Sequence, residues 1–175
     1  MKTKVSRRDM LIRLGATGAA VTGGLLLPTS EALADSWPTL SPGDIFVGRI
    51  QGVTQLWGTW RHAAMYVGSN EVVEGGVATS TWKALLAGAV QKVSLTTFKN
   101  RYTHIYIFRS KASNASTKGQ LMSNSARVLV GRGTMNCAQL VRVCWTDAYG
   151  SDPLWLSPDY VAASSSLLKW IGYKG

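Results

Sequence analysis

The sequence predicts one α+β domain in which an antiparallel sheet packs against helices and a reactive cysteine opens one of those helices. Three observations predict it. Between residues 44 and 109, short runs rich in β-branched and aromatic residues recur, such as "HAAMYVG" and "YTHIYIFR", with turn residues between them. Beyond residue 115 the spacing becomes helical, with Leu140, Val141, Val143 and Cys144 in a stretch that lacks Gly and Pro until Gly150. No repeat or second apolar span divides the chain, so residues 35–175 have the size of one domain with its own core.

The N-terminus reads as an export signal. A basic start, "MKTKVSRRDMLIRLG", precedes an apolar run from Leu14 to Leu27. That run is shorter than the ~20 apolar residues a bilayer span needs. It ends at Pro28, and Ala32 and Ala34 then form the small-x-small pattern of a signal-peptidase site, which places cleavage after Ala34 and the domain at 35–175. Arg7 and Arg8, after Ser6 and before Asp9, resemble the twin-arginine motif, with Met10 where Phe or Leu is commoner. An ordinary Sec signal and an N-terminal anchor are the competing readings. The expected location is periplasmic or secreted. Twin-arginine export carries folded proteins, so oxidative stapling is not needed for folding.

Within 35–175, 14 Lys and Arg stand against 7 Asp and Glu, a net charge of +7. Such a surface suits anionic envelope partners. The basic residues are scattered, and no basic-aromatic module is visible, which argues against nucleic acid as partner.

The elements follow in chain order. "DIFVG", "HAAMYVG", "EVVEG", a piece near "VQKVSL" and "YTHIYIFR" read as strands. "TSTWKALLAGA" reads as a helix or helical turn after Glu74. In the fifth strand Tyr102, His104, Tyr106 and Phe108 fall on one face by alternation. "KASNAST" is a polar connector. "STKGQLMSNSARVLV" places Leu121, Ser125 and Leu129 along one side of an amphipathic helix. Gly131 and Gly133 break that helix, and Thr134 or Asn136 caps the next, which carries both cysteines. Ser157 as N-cap and Pro158 in the first turn start a last helix that extends to Trp170.

The two thiols cannot bond each other. Cys137 and Cys144 are seven residues apart on one helix, a rise of roughly 10 Å, whereas a disulfide needs Cα atoms within about 7 Å. Neither has a second Cys or His at ligand spacing, so no metal or other cofactor is expected. Cys144, between Val143 and Trp145, reads as core. Cys137 lies in the first turn, where free N–H groups and the helix dipole lower a thiol's pKa and can hold an oxyanion.

Such a thiol needs a base, and the chain has two histidines. His104 reads as a structural sheet residue. His62 opens the strand that turns at Gly68-Ser69-Asn70 into "EVVEGG". If the loop holds an odd number of residues, pairing Val67 with Glu71 for example, Ala64 faces Glu74 and His62 is a diagonal neighbour of Glu74 on the same face, roughly 7–8 Å away at the backbone. A carboxylate there orients the imidazole and stabilises its charged form. An even loop flips Glu74 to the other face.

Four stretches resemble the circularly permuted papain-fold hydrolases of the YiiX/YebB-like group, related to NlpC-type cell-wall peptidases and lecithin retinol acyltransferase. "LSPGDIFVG" resembles their opening Gly-Asp strand, and "WRHAAMYVGSNEVVEGG" their His strand, hairpin and polar-residue strand. "NCAQLVRVCW" resembles their nucleophile helix, and "LSPDYVAAS" the start of their last helix. The order, His before Cys, is that of the permuted fold. Departures are Ala138 for the usual Ser, Ala63 and Ala64 for the commoner Val and Gly, and a short "VGRGTMN" loop. The resemblance implies a permuted papain-like fold and a triad of Cys137, His62 and Glu74.

The expected activity is therefore acyl transfer, with Cys137 as nucleophile, His62 as general base and acid, and Glu74 orienting His62. Cell-wall peptide or amide bonds are the expected substrate, with a lipid-directed acyltransferase or esterase as the alternative. A non-catalytic envelope-binding protein is the alternative of another class. Trp57 and Trp60, directly before His62, either wall the substrate cleft or cover the core. Trp145, Trp155 and Trp170 read as packing residues, and Arg61 as solvated.

Overall fold

The computed structural model of the chain describes residues 37–50, 62–76, 88–132 and 134–175. Residues 1–34, read as an export signal, together with Trp57, Trp60 and Arg61, lie outside the described residues; so does the helix read from residues 79–89, except for Gly88 and Ala89, which open a strand rather than end a helix. Chain order is β1 (Ile45–Ile50), β2 (His62–Gly68), β3 (Glu71–Gly75), β4 (Gly88–Ser94), α1 (Leu95–Arg101), β5 (Tyr102–Ser110), α2 (Ala115–Leu129), β6 (Thr134–Met135), α3 (Cys137–Tyr149), α4 (Pro158–Ala163) and β7 (Leu168–Lys174). The class is α+β. Six strands form an antiparallel sheet in the order β4-β3-β2-β1-β5-β7, and the two-residue β6 pairs along the outer edge of β4.

Alternation along the central strands sends side chains to two faces, and each face is covered. On one side Val47, Ala63, Met65 and Val73 pack with Met122, Ala126, Leu140, Val141, Cys144, Trp145 and Trp155 from α2, α3 and the segment before α4. On the other, Phe46, Ala64, Tyr66 and Val72 pack with Leu95 and Phe98 of α1 and with Tyr102. Burial on both faces explains why β2 reads as an apolar run rather than an alternating one. Each fully buried aliphatic or Phe side chain contributes about 1.5–3 kcal/mol, so the central strands hold the sheet.

Helix α1 was not expected from "LTTFKNR", whose two threonines are poor helix formers. Ser94 caps it by accepting from the Thr97 N–H at 3.0 Å, and burial of Leu95 and Phe98 secures it. Helix α2 buries Gly119, Met122, Ser123 and Ala126 rather than the expected Leu121, Ser125, Leu129 side; Leu121 is 46% exposed. A backbone contact decides the rotation. A Cβ on Gly43 would lie 2.3 Å from Gly119 Cα, and one on Gly119 would lie 2.3 Å from the Pro42 carbonyl oxygen. Helix α2 therefore seats its glycine on the chain entering β1.

The last helix ends at Ala163, not Trp170. Ser164 leaves helical geometry, accepts the Trp155 indole N–H and donates to the Tyr160 carbonyl. The chain then forms β7, which pairs with the otherwise open edge of β5. Trp145 and Trp155 are buried and Trp170 packs against the same core. Among the described residues, no helix is long and apolar enough to cross a membrane.

Candidate active site

Two β-bulges position the site. The β2–β3 hairpin turns on two residues, Ser69 and Asn70, at φ of +54° and +58°. Counted alone, that even loop would put Glu74 on the wrong face. The expected pairing of Val67 with Glu71 is not made. Gly68 pairs with Glu71 and Tyr66 with Val72, leaving Val67 as one extra residue in β2. The bulge is held from outside the sheet, because the Val67 carbonyl accepts from the Ser123 hydroxyl at 3.0 Å and from Arg127 at 2.7 Å. Beyond it, Ala64 pairs with Glu74 as expected. His62 Nε2 and Glu74 Oε2 are 2.8 Å apart, and both side chains are buried.

Cys137 comes from the other side of the sheet. Asn136 is the cap of α3, accepting the Gln139 N–H at 2.7 Å, while Thr134 belongs to β6. Gly75 admits this helix start. A Cβ there would lie 3.1 Å from the carbonyl oxygens of both Met135 and Asn136. The two faces meet at the first residue of β2, where the Cys137 thiol and His62 lie close enough that each shifts the other's pKa. Glu74 occupies Nε2, so Nδ1 is the ring nitrogen not taken by the carboxylate.

The electrostatics favour a charged pair. Burial disfavours the Cys137 thiolate, but the hydrogen bond and charge of His62 outweigh it, and the N–H groups of Ala63 and Ala138 add to them. The thiol pKa is lowered. Burial likewise disfavours imidazolium at His62, yet Cys137 and then Glu74 raise it to about 9. Cys144, fully buried, is pushed up to about 12 by desolvation, so the two thiols differ as their positions suggest.

Three contributors to the site were missed from sequence. Glu74 Oε1 accepts from Gln91 Nε2 at 2.8 Å and from Arg101, while the Tyr102 hydroxyl donates to Oε2 at 3.3 Å. Burial alone would raise the Glu74 carboxyl, but His62, Arg101 and Gln91 hold it below the usual range. Gln91 lies directly opposite Glu74 across β3 and β4, so correct register of the fourth strand would have revealed it. Tyr102 does not share a face with His104, Tyr106 and Phe108. Register shifts by one residue between the Arg49–His104 and Ile50–Tyr102 pairs, which makes Thr103 a bulge and turns Tyr102 to the His62 side. There its ring stacks on His62, centroids 5.0 Å apart and planes 5° from parallel.

His104 lies apart from this group, with Nδ1 2.5 Å from the Tyr173 hydroxyl. No group of three His, Cys, Asp or Glu suited to a metal ion occurs among the described residues. No family model, curated protein or solved structure matches the chain. The arrangement is an activated thiol, a histidine able to exchange its proton, and a buried carboxylate orienting that histidine.

Proposed function

We propose that the chain is an exported cysteine hydrolase that works through an acyl-enzyme. The observation that carries this reading is the row Cys137, His62, Glu74, in which His62 is hydrogen-bonded to the buried Glu74 and electrostatically coupled to a thiol at the start of α3. Cys137 thiolate attacks a carbonyl carbon, and His62 gives its proton to the departing amine or alcohol. Water then donates a proton to His62 and attacks the thioester, releasing the acid and restoring the charged pair. Glu74 keeps the imidazole oriented throughout.

The particular reading is a permuted papain-like hydrolase of the YiiX-like kind acting on cell-wall peptide or amide bonds. The antiparallel sheet, the chain order of His before Cys and the four motif stretches support it. The test is incubation with purified sacculi, and separately with phospholipid vesicles, followed by mass spectrometry of the products. New carboxyl and amino termini that disappear with Cys137→Ala are the expected result. Release of fatty acid instead moves the substrate to lipid acyl bonds. Products that persist in Cys137→Ala remove Cys137 from the reaction.

A further inference from the structure

We propose that Arg101 is the positioning residue of this site: it holds one oxygen of Glu74 so that the other is kept for His62, and its charge balances the buried row. The inference rests on the cysteine-hydrolase reading and deepens it. Glu74 is fully buried, and its two oxygens are divided. Oε1 faces Arg101 and Gln91, and Oε2 faces His62 and Tyr102. A carboxylate free to rotate would offer either oxygen to His62; with Oε1 held from two elements, only one orientation remains.

The charge count leads to the same residue. The groups facing Glu74 are His62 from β2, Gln91 from β4, Arg101 from the end of α1 and Tyr102 from β5, and Cys137 of α3 faces His62. Tyr102 is held neutral, since burial and the Glu74 charge both push its pKa up. With the thiolate formed, the row reads Arg⁺, Glu⁻, His⁺, Cys⁻ and is neutral. Without Arg101 it carries two anions and one cation in a buried space, and thiolate formation becomes costlier. His62, relieved of a neighbouring cation, also holds its proton to higher pH. Both limbs of the pH window in which the Cys137–His62 pair is charged therefore depend on Arg101.

The experiment is the rate of Cys137 alkylation by iodoacetamide against pH, read by peptide mass spectrometry with Cys144 as internal reference. Arg101→Gln is expected to move the acid limb up by about one pH unit, which is about tenfold slower alkylation below that limb. Arg101→Lys, which keeps the charge without the planar fork, is expected to recover most of the shift. Glu74→Gln removes a negative charge and is expected to move the limb down. Should Arg101→Gln alone not fold, E74Q compared with E74Q/R101Q tests the charge of Arg101 without a buried unpaired carboxylate, the second variant being expected to move the acid limb up. An unmoved profile in the folded Arg101 variant overturns the proposal, even where melting temperature falls, because a merely structural arginine would change stability only. Failure of the hydrolase reading looks different: slow labelling of wild-type Cys137 whose acid limb lies at or above the ordinary thiol value.

Discussion

Gly75→Ala tests whether the site depends on the close approach of α3 to the sheet. The added Cβ would sit 3.1 Å from two carbonyl oxygens, those of Met135 and Asn136, and 3.3 Å from Leu140 Cβ. Backbone carbonyls on a capped helix start cannot swing away as a side-chain tip can, so the α3 N-terminus must shift by a few tenths of an ångström. Overpacking of this kind costs about 1–3 kcal/mol. The rate effect is argued from position: a 1 Å misplacement costs on the order of 100-fold in a positioned reaction, so a smaller shift implies about tenfold. Cys137 is the residue after the cap and is the first to move. The assay pairs iodoacetamide labelling of Cys137 with thermal melting. Gly150→Ala is the control, since it lies at the other end of α3 with φ of +71° and open space around it, and costs about 1 kcal/mol without touching the thiol. Wild-type labelling by Gly75→Ala, or equal slowing by Gly150→Ala, refutes the reasoning.

Three further outcomes are expected. At neutral pH iodoacetamide modifies Cys137 quickly and leaves Cys144 intact in the folded protein; equal, slow labelling of both would favour a non-catalytic binding module. Melting temperature against pH is expected to rise on the acid side and to level off above about pH 6.5, where the loss from His62 and the gain from Cys137 offset each other. His62, raised from 6.5 to about 9, contributes stability that is whole below pH 6.5 and lost as the pH rises through about 9. Cys137, with its pKa lowered, contributes stability that is whole above the ordinary thiol value and lost as the pH falls through the lowered one. Cys137→Ala should flatten the acid-side rise, and an unchanged curve would show the pair is not charged. Asp44→Ala breaks a buried carboxylate's two-pronged contact with Arg109, at 2.7 and 2.8 Å, and its bond from the Ser41 N–H. It is expected to cost about 3 kcal/mol in denaturant unfolding while Cys137 labelling at neutral pH keeps its wild-type rate.

Local chemistry determined much of this protein at the sequence level. Helical rise alone separated Cys137 from Cys144, and turn residues and alternation marked the strands that carry His62 and Glu74. Those features depend on neighbours a few residues apart, which is why they are legible in one dimension. The end of the chain was not, because "LLKWIGYK" suits a helix or a strand and the open edge of β5 decided for strand.

The site itself required tertiary structure for a definite reason. Strand register has a period of two, so one extra residue reverses every side chain beyond it. The Val67 bulge puts Glu74 beside His62, and it exists because Ser123 and Arg127 of a helix 56 and 60 residues away take the Val67 carbonyl. The Thr103 bulge likewise turns Tyr102 onto His62. Sequence by itself determined which residue types could perform the chemistry and roughly where they stand on helix and strand. Only the packed fold decided which faces they point to, that Gly75 lets the thiol reach His62, and that Gln91 and Arg101 hold the carboxylate, because each of these contacts joins segments that the chain brings together only when the sheet and its helices close.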